Sequence, residues 1–377
     1  MKTSFRRFTW LASVVLLGLA ACVPVETSPT VTALPSPSEA PTAAPAPTAL
    51  PTPTPIPELL WPAEGAYFGA WVGPPKSSER LVDNFETFEG VFGRELDIIH
   101  TYYGFRYVPE MRAAPERFPP ALVTHYLPEQ RIFLFSFDLR TWEKDTGRTD
   151  ILTLQKIIGG DFDDMLRKWA ITVRALEYPV IFRFAWEMNI EWTSSGGPRN
   201  FGPEGDQPWY QVADKYGQYG DPKLADGPER FRDAVNRVMD IFEETGAENV
   251  YWAFGPNWIS YPRDPWNTLE SYWIERWDVI APTLCAYKDD WRSFQQMYEA
   301  EIAPFVESHP RPVVIAEWSV PDDPRKARHY QEAFTYIQTR PEIKGMVVFA
   351  EDVWHPGSNP ESREAFLEIL KSDYLNP

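Results

Sequence analysis

Between residue 66 and the C-terminus, short apolar runs of strand character alternate eight times with longer stretches of helical period, a pattern that few single domains accept. The strand-like runs fall at 66–72, 96–102, 131–137, 180–186, 250–254, 279–286, 313–317 and 345–349, and the clearest amphipathic stretches at 163–176, 229–245, 293–308, 324–339 and 361–371. Eight successive units predict an α/β fold of the (β/α)8 TIM-barrel type rather than an open doubly wound sheet. No Gly-rich phosphate or dinucleotide loop follows the first strand to favour the open form. A barrel gathers its functional groups at the carboxyl ends of its strands. Asp161, ahead of Phe162-Asp163-Asp164, reads as a helix cap, with a calcium loop as the alternative, and Gly246 after Thr245 reads as a helix stop. The Gly-, Pro- and Asp-rich insertion at 193–227 reads either as a wall of the binding cleft or as a plain excursion.

The fourth run, VIFRFAWEMN at 180–189, is nearly continuous in apolar residues and then ends in Trp186, Glu187 and Asn189, with Arg183 inside it. A buried parallel strand reads this way. A carboxylate at its end costs desolvation unless it is paired or used. RPVVIAEWSV at 311–320 repeats the arrangement around Glu317. The fourth and seventh strands of a small barrel face each other across its mouth, so the two carboxyl groups are expected close together. Retaining glycosidases hold such a pair about 5 to 5.5 Å apart, one as nucleophile and one as acid/base. Among Trp186 and Trp192, Glu187 is expected to keep its proton. Glu317 is expected to stay ionised, with Tyr287 at the end of the sixth strand donating a hydrogen bond to it. His100, Tyr102, Tyr103, Asp138, Trp142, Asn257, Trp258, Asp352 and His355 fall on the same face, where each serves as readily in support as in direct contact with a ligand.

The N-terminal segment has a different character. Lys2, Arg6 and Arg7 precede an apolar stretch at 10–19 that is too short to span a bilayer, the layout of a secretory signal. It ends Leu19-Ala20-Ala21-Cys22, which resembles a bacterial lipoprotein signal with Cys22 as the lipidated residue; ordinary secretion is the alternative. Residues 22–57 are almost wholly Pro, Thr, Ala and Ser, too poor in apolar side chains to fold. Such a linker stays extended at about 3.1 Å per residue and would hold the domain at 58–377 on the order of 100 Å from its anchor. With Cys22 committed there, Cys285 has no partner for a disulfide and reads as a small core residue.

The formal charge of −18 falls to −21 once the three basic residues of the signal are removed, which opposes binding to nucleic acid or anionic lipid and suits an uncharged ligand. The 16 Trp, 17 Tyr and 23 Phe supply faces on which sugars stack, although most are individually explained by a core. The five histidines lack zinc-site spacing, no metal or cofactor is expected, and no Gly-x-Ser-x-Gly turn is present for a serine hydrolase.

FRFAWEMNIEW resembles the acid/base segment of glycoside hydrolase family 26, a barrel family of β-mannanases and other endo-β-glycanases whose pattern runs Arg-Pro-x-His-Glu-Met-Asn and then Trp. Arg183, Glu187, Met188, Asn189 and Trp192 stand at the matching places. IAEWS is similar to the nucleophile strand and implies that role for Glu317. APTLCAY implies Tyr287 as the tyrosine beside the nucleophile, and Trp354 is similar to the sugar-stacking tryptophan. FGAWVG at 68–73 and WAFGPN at 252–257 also resemble family segments. The resemblance implies substrate contacts from Arg183, Trp186, Asn189, Trp192, Tyr287, Trp354, His100, Asn257 and Trp258. One residue departs: the family usually has His before the acid/base, and this chain has Trp186. An indole N–H only donates, whereas His also accepts, so the expected substrate is β-mannan or a related β-glucan or xylan. The resulting expectation is a monomeric, lipid-anchored retaining endo-β-glycanase on a neutral plant-type polysaccharide. A polysaccharide-binding surface lipoprotein on a degenerate barrel, without catalysis, is the competing one.

Overall fold

The computed structural model describes residues 59, 61–73, 80–104, 120–138, 153–190, 219–221, 223–261, 263 and 265–376. Cys22, the signal, the whole of the linker, Trp142, Trp192, the side chain of Asp138 and most of the 193–227 insertion lie outside them.

Among the described residues, nine parallel strands form the sheet: β1 (Tyr67–Trp71), β2 (Ile98–Gly104), β3 (Ile132–Asp138), β4 (Val180–Phe184), β5 (Val250–Phe254), β6 (Val279–Ile280), β7 (Thr283–Cys285), β8 (Val313–Ser319) and β9 (Ile343–Phe349). Their order is β6-β5-β4-β3-β2-β1-β9-β8-β7, and an additional β6–β8 pairing closes the ring. Thus β6 and β7 are two pieces of one stave, and the expected eight-unit barrel is borne out. That stave was expected unbroken over 279–286. Pro282 interrupts it, since proline donates no ladder hydrogen bond.

Two apolar layers fill the molecule. Ile98, Leu134, Ile181, Val279, Val314 and Val347 pack inside the ring, and Leu59 joins them, its N–H donating to the Tyr251 hydroxyl at 2.8 Å. The larger layer lies between strands and helices. In the Arg80–Phe92 helix, Leu81, Phe85, Phe88 and Phe92 recur at helical spacing and are all buried. Each such side chain contributes about 1.5–3 kcal/mol by leaving water.

Several local expectations change. Asp161 does not cap the Asp163–Arg174 helix. Phe162 occupies that position without a side-chain cap, and the Asp163 carboxylate instead binds Arg237 at 2.7 and 3.0 Å. An arginine already satisfies this carboxylate, and among the described residues no cluster of three or more His, Cys, Asp or Glu could hold a metal. The stretch at 293–308 is not uniformly α-helical: a Ser293–Gln296 capping box opens it, and a π-turn, Tyr298–Ile302, interrupts it. Pro304 cannot donate to the carbonyl four residues back, and a wider turn accommodates that loss. Gly246 does end its helix, at φ 75° and with its N–H on Glu243.

Candidate active site

Strand β4 stops at Phe184 rather than at 186, and the next three residues make an irregular turn. Ala185 and Glu187 have φ of 53° and 56°, the left-handed region that non-glycine residues seldom adopt. Strain of that kind persists only where the surroundings enforce it. Here the Ala185 N–H is tied to the Phe137 carbonyl at 2.9 Å and the Glu187 N–H to that of Gly255 at 2.6 Å. The turn leaves Glu187 only 4% exposed at the mouth of the barrel.

Across the mouth, β8 supplies Glu317, whose side chain is 11% exposed, and its neighbour in register on β7 is Thr283. Between them and β4 lies Arg183, wholly enclosed. Its Nη1 donates to Glu317 Oε1 at 2.5 Å, its Nη2 to Thr283 Oγ1 at 2.6 Å and its Nε to the Ala281 carbonyl at 2.8 Å. That carbonyl belongs to the break in the sixth stave, so the interruption at Pro282 presents an acceptor inside the barrel. Room for the guanidinium comes from Gly255, where a Cβ would stand 2.5 Å from Arg183 Nε and 2.7 Å from its Cγ.

The Thr283 hydroxyl donates to Glu317 Oε1 at 3.3 Å and lies near enough to Glu187 to favour its ionised form. Asn257 Nδ2 donates to Glu187 Oε1 at 2.8 Å, and Asn257 is itself fixed by Asn189, through Asn189 Oδ1 to its N–H at 2.8 Å and Asn189 Nδ2 to its carbonyl at 3.1 Å. Burial raises the Glu187 carboxyl to about 7, the negative charge of Glu317 adds to the rise, and Arg183, Asn257 and Thr283 oppose it. One carboxyl therefore carries a proton near neutrality beside a partner bonded to a buried guanidinium. That is the division of labour a two-carboxylate hydrolase needs.

No model of a known protein family matches the chain. Endoglucanase H of Acetivibrio thermocellus is 24% identical over 332 residues, 83% of this chain and 31% of that protein, so the chain spans about a third of this curated relative. The catalytic domain of a Bacillus sp. JAMB-750 GH26 endo-β-1,4-mannanase matches with a TM-score of 0.57 at 14% identity, over 83% of this chain and 88% of that one. A β-mannanase from a symbiotic protist of the termite Reticulitermes speratus, solved with a gluco-manno-oligosaccharide, gives 0.56 at 13% identity over 83% and 88%. Its fold is that of the family 26 glycoside hydrolases. The barrel and the family resemblance expected from the sequence are both borne out.

Within this barrel, the site residues separate into lining and supporting groups. Glu187, Glu317, Trp186, Tyr287 and Trp354 reach the mouth. The ring centres of Tyr287 and Trp354 lie 5.7 Å apart, edge to face. Arg183 and His100, expected to touch sugar, are instead fully enclosed: Arg183 acts on the carboxylate, and His100 Nε2 meets Ser136 Oγ at 2.9 Å. Burial, reinforced by the Arg183 charge, holds the His100 ring neutral. Trp258 is also buried, its N–H on the Thr283 carbonyl at 3.0 Å, and it backs the site. Asn189 supports Asn257 and is itself fully buried.

Tyr287 does not hydrogen-bond Glu317. It is 36% exposed and leans on Trp354. The hydroxyl facing Glu317 is that of Tyr102, which is buried, close enough for the carboxylate to raise its pKa further, and short of hydrogen-bond geometry. Its ring lies between Trp71 and Trp186, at 4.8 and 5.2 Å. Trp186, at the place of the family histidine, thus joins an aromatic wall and lies 6.0 Å from the Arg183 guanidinium. Thr283, Ser136 and Gly255 escaped the sequence reading. Small residues inside strands carry no pattern that distinguishes a bridging hydroxyl from packing. Cys285 is buried as expected, and its thiol is pushed well up by burial and by the two nearby carboxylates.

Proposed function

We propose that this chain is a retaining endo-β-glycanase of β-mannan or a related β-glucan or xylan. The observation that carries the reading is a pair of enclosed carboxyl groups at the barrel mouth, Glu187 raised to about 7 by burial and by its neighbour Glu317, and Glu317 bonded to the buried Arg183 guanidinium. Glu317 attacks the anomeric carbon while Glu187 gives its proton to the departing glycosidic oxygen, leaving a glycosyl ester on Glu317. Glu187, now a carboxylate, takes a proton from a water that attacks the same carbon, so the ester breaks and the configuration is retained. Arg183 holds Glu317 in place for the attack, and Asn257 does the same for Glu187.

Support for a β-glycan comes from the relatives, one an endoglucanase and others β-mannanases. Trp186 favours a sugar other than mannose beside the cleaved bond, because its N–H cannot accept from a substrate hydroxyl. We further propose that the enzyme works as a monomer at the cell surface, tethered through Cys22 by the linker at 22–57; the Leu19-Ala20-Ala21-Cys22 sequence supports this. Palmitate labelling that is lost in Cys22→Ala tests the tether, and labelling of that variant at the wild-type level removes it.

The reaction is tested with wild type, Glu187→Gln and Glu317→Gln on soluble mannan, mixed-linkage β-glucan and β-1,3-xylan. Cleavage by wild type, with at least a thousandfold loss in both variants, is expected. A wild type that retains these polymers on a native gel and cuts none of them replaces the proposal with the binding-protein reading.

A further inference from the structure

The helix Lys326–Ile337 follows the nucleophile strand β8, and its first residue points an ammonium away from solvent: the Lys326 side chain is fully buried. Its Nζ donates to the carbonyl of Val353 at 2.8 Å, the carbonyl of His355 at 2.9 Å and Ser358 Oγ at 2.8 Å, with Asp322 Oδ1 at 3.4 Å. The intervening carbonyl, that of Trp354, accepts from Ser319 Oγ at 2.6 Å. Three successive carbonyls after β9 are therefore gripped by two side chains rooted in β8 and the helix it leads into, and Ser319 is two residues from Glu317. The gripped segment is a single 3-10 turn, Asp352–Trp354, entered through Asp352 at φ 47°. One turn with a left-handed non-glycine residue has little intrinsic stability.

Packing alone does not account for a lysine here. An ammonium has three N–H donors, two are spent on the carbonyls of Val353 and His355 and the third on Ser358 just beyond, and an apolar residue of the same length would fill the space without the cost of burying charge. Asp322, the one acid beside it, is 43% exposed, so the carbonyl oxygens do much of the work that water would do. Burial lowers the ammonium to about 8, with Asp322 opposing that shift.

We propose that Lys326 is a positioning residue that, with Ser319, fixes the Trp354 ring as a sugar-stacking wall at a set place relative to Glu317. The inference rests on the glycanase reading for its substrate and on the hydrogen bonds above for its geometry. Two readouts keep these apart. In 5-fluorotryptophan-labelled protein, with the Trp354 signal assigned by Trp354→Phe, wild type is expected to give one narrow fluorine resonance. Lys326→Met should broaden or split it, and n-propylammonium should narrow it again in Lys326→Ala. This readout needs no turnover and stands even if no polymer is cleaved. On mixed-linkage β-glucan, Lys326→Met should raise KM on the order of tenfold with kcat changed less than threefold, and Lys326→Met added to Trp354→Ala should cost nothing more. A Trp354 resonance unchanged in both Lys326→Met and Ser319→Ala, or losses that multiply in the double variant, overturns the inference. If Lys326→Met does not fold, Ser319→Ala and Lys326→Ala with the amine are judged by the same criteria.

Discussion

Replacing Asn257 by alanine removes the amide that donates to Glu187 Oε1 at 2.8 Å. This bond favours the ionised carboxyl and so opposes burial and the Glu317 charge, which together raise Glu187 to about 7. Hydrogen bonds to charged groups contribute about 1.5–3 kcal/mol, and one pH unit corresponds to about 1.4 kcal/mol. Water entering the vacated space recovers part of that, so the carboxyl should move up by roughly one unit. An acid that must be protonated to act loses activity as pH rises through its pKa, so the alkaline limb of kcat/KM, near pH 7 in wild type, should move to about 8 in Asn257→Ala. The assay is kcat/KM on mixed-linkage β-glucan from pH 5 to 9, alongside an aryl glycoside whose leaving group needs no proton. The aryl substrate should show little of the shift, because its first step does not draw on Glu187. A polymer limb that stays in place or moves to lower pH would refute the assignment of Asn257 as a counterweight to burial.

Glu187→Gln should raise stability at pH 8 and leave it nearly unchanged at pH 4. With the folded carboxyl raised, stability falls as pH rises from about 4.5 to 7, by roughly 3 kcal/mol in full, and glutamine escapes this; thermal unfolding at the two pH values checks it. Arg183→Met strands Glu317 without its buried partner and should cost about 3–5 kcal/mol in urea unfolding, with at least a hundredfold loss of kcat. Tyr102→Phe should lower kcat/KM on the order of tenfold and Tyr287→Phe much less, because of the two tyrosines it is Tyr102 whose hydroxyl is enclosed beside Glu317; the reverse ranking would give that role to Tyr287. Trp186→His should shift the kcat/KM ratio toward soluble mannan over β-glucan, and an unchanged ratio removes Trp186 from substrate choice.

What could be read from the sequence was whatever repeats. β5 begins and ends where its apolar run does, and the paired contexts of Glu187 and Glu317 placed both carboxyls at strand ends because each is an exception to a long apolar neighbourhood. The misreadings share a cause, namely interactions between residues distant in the chain. Asp161 has the local look of a cap, yet the helix begins past it without a side-chain cap, and the carboxylate of its first residue, Asp163, is bound by Arg237 from 74 residues away. Tyr287 sits at the sequence position matching the family's tyrosine, but its ring packs edge to face on Trp354. Thr283 was invisible as chemistry, since its role follows from the β7–β8 register and not from its neighbours in sequence.

Gly255 has no functional group at all, yet the volume it leaves empty is the volume the Arg183 guanidinium occupies. Even a methyl group there would evict the cation and leave the Glu317 carboxylate without its counterion. In a saturation-mutagenesis library selected for hydrolysis, position 255 should therefore be as unforgiving as the two glutamates, a vacancy under the same purifying pressure as an acid.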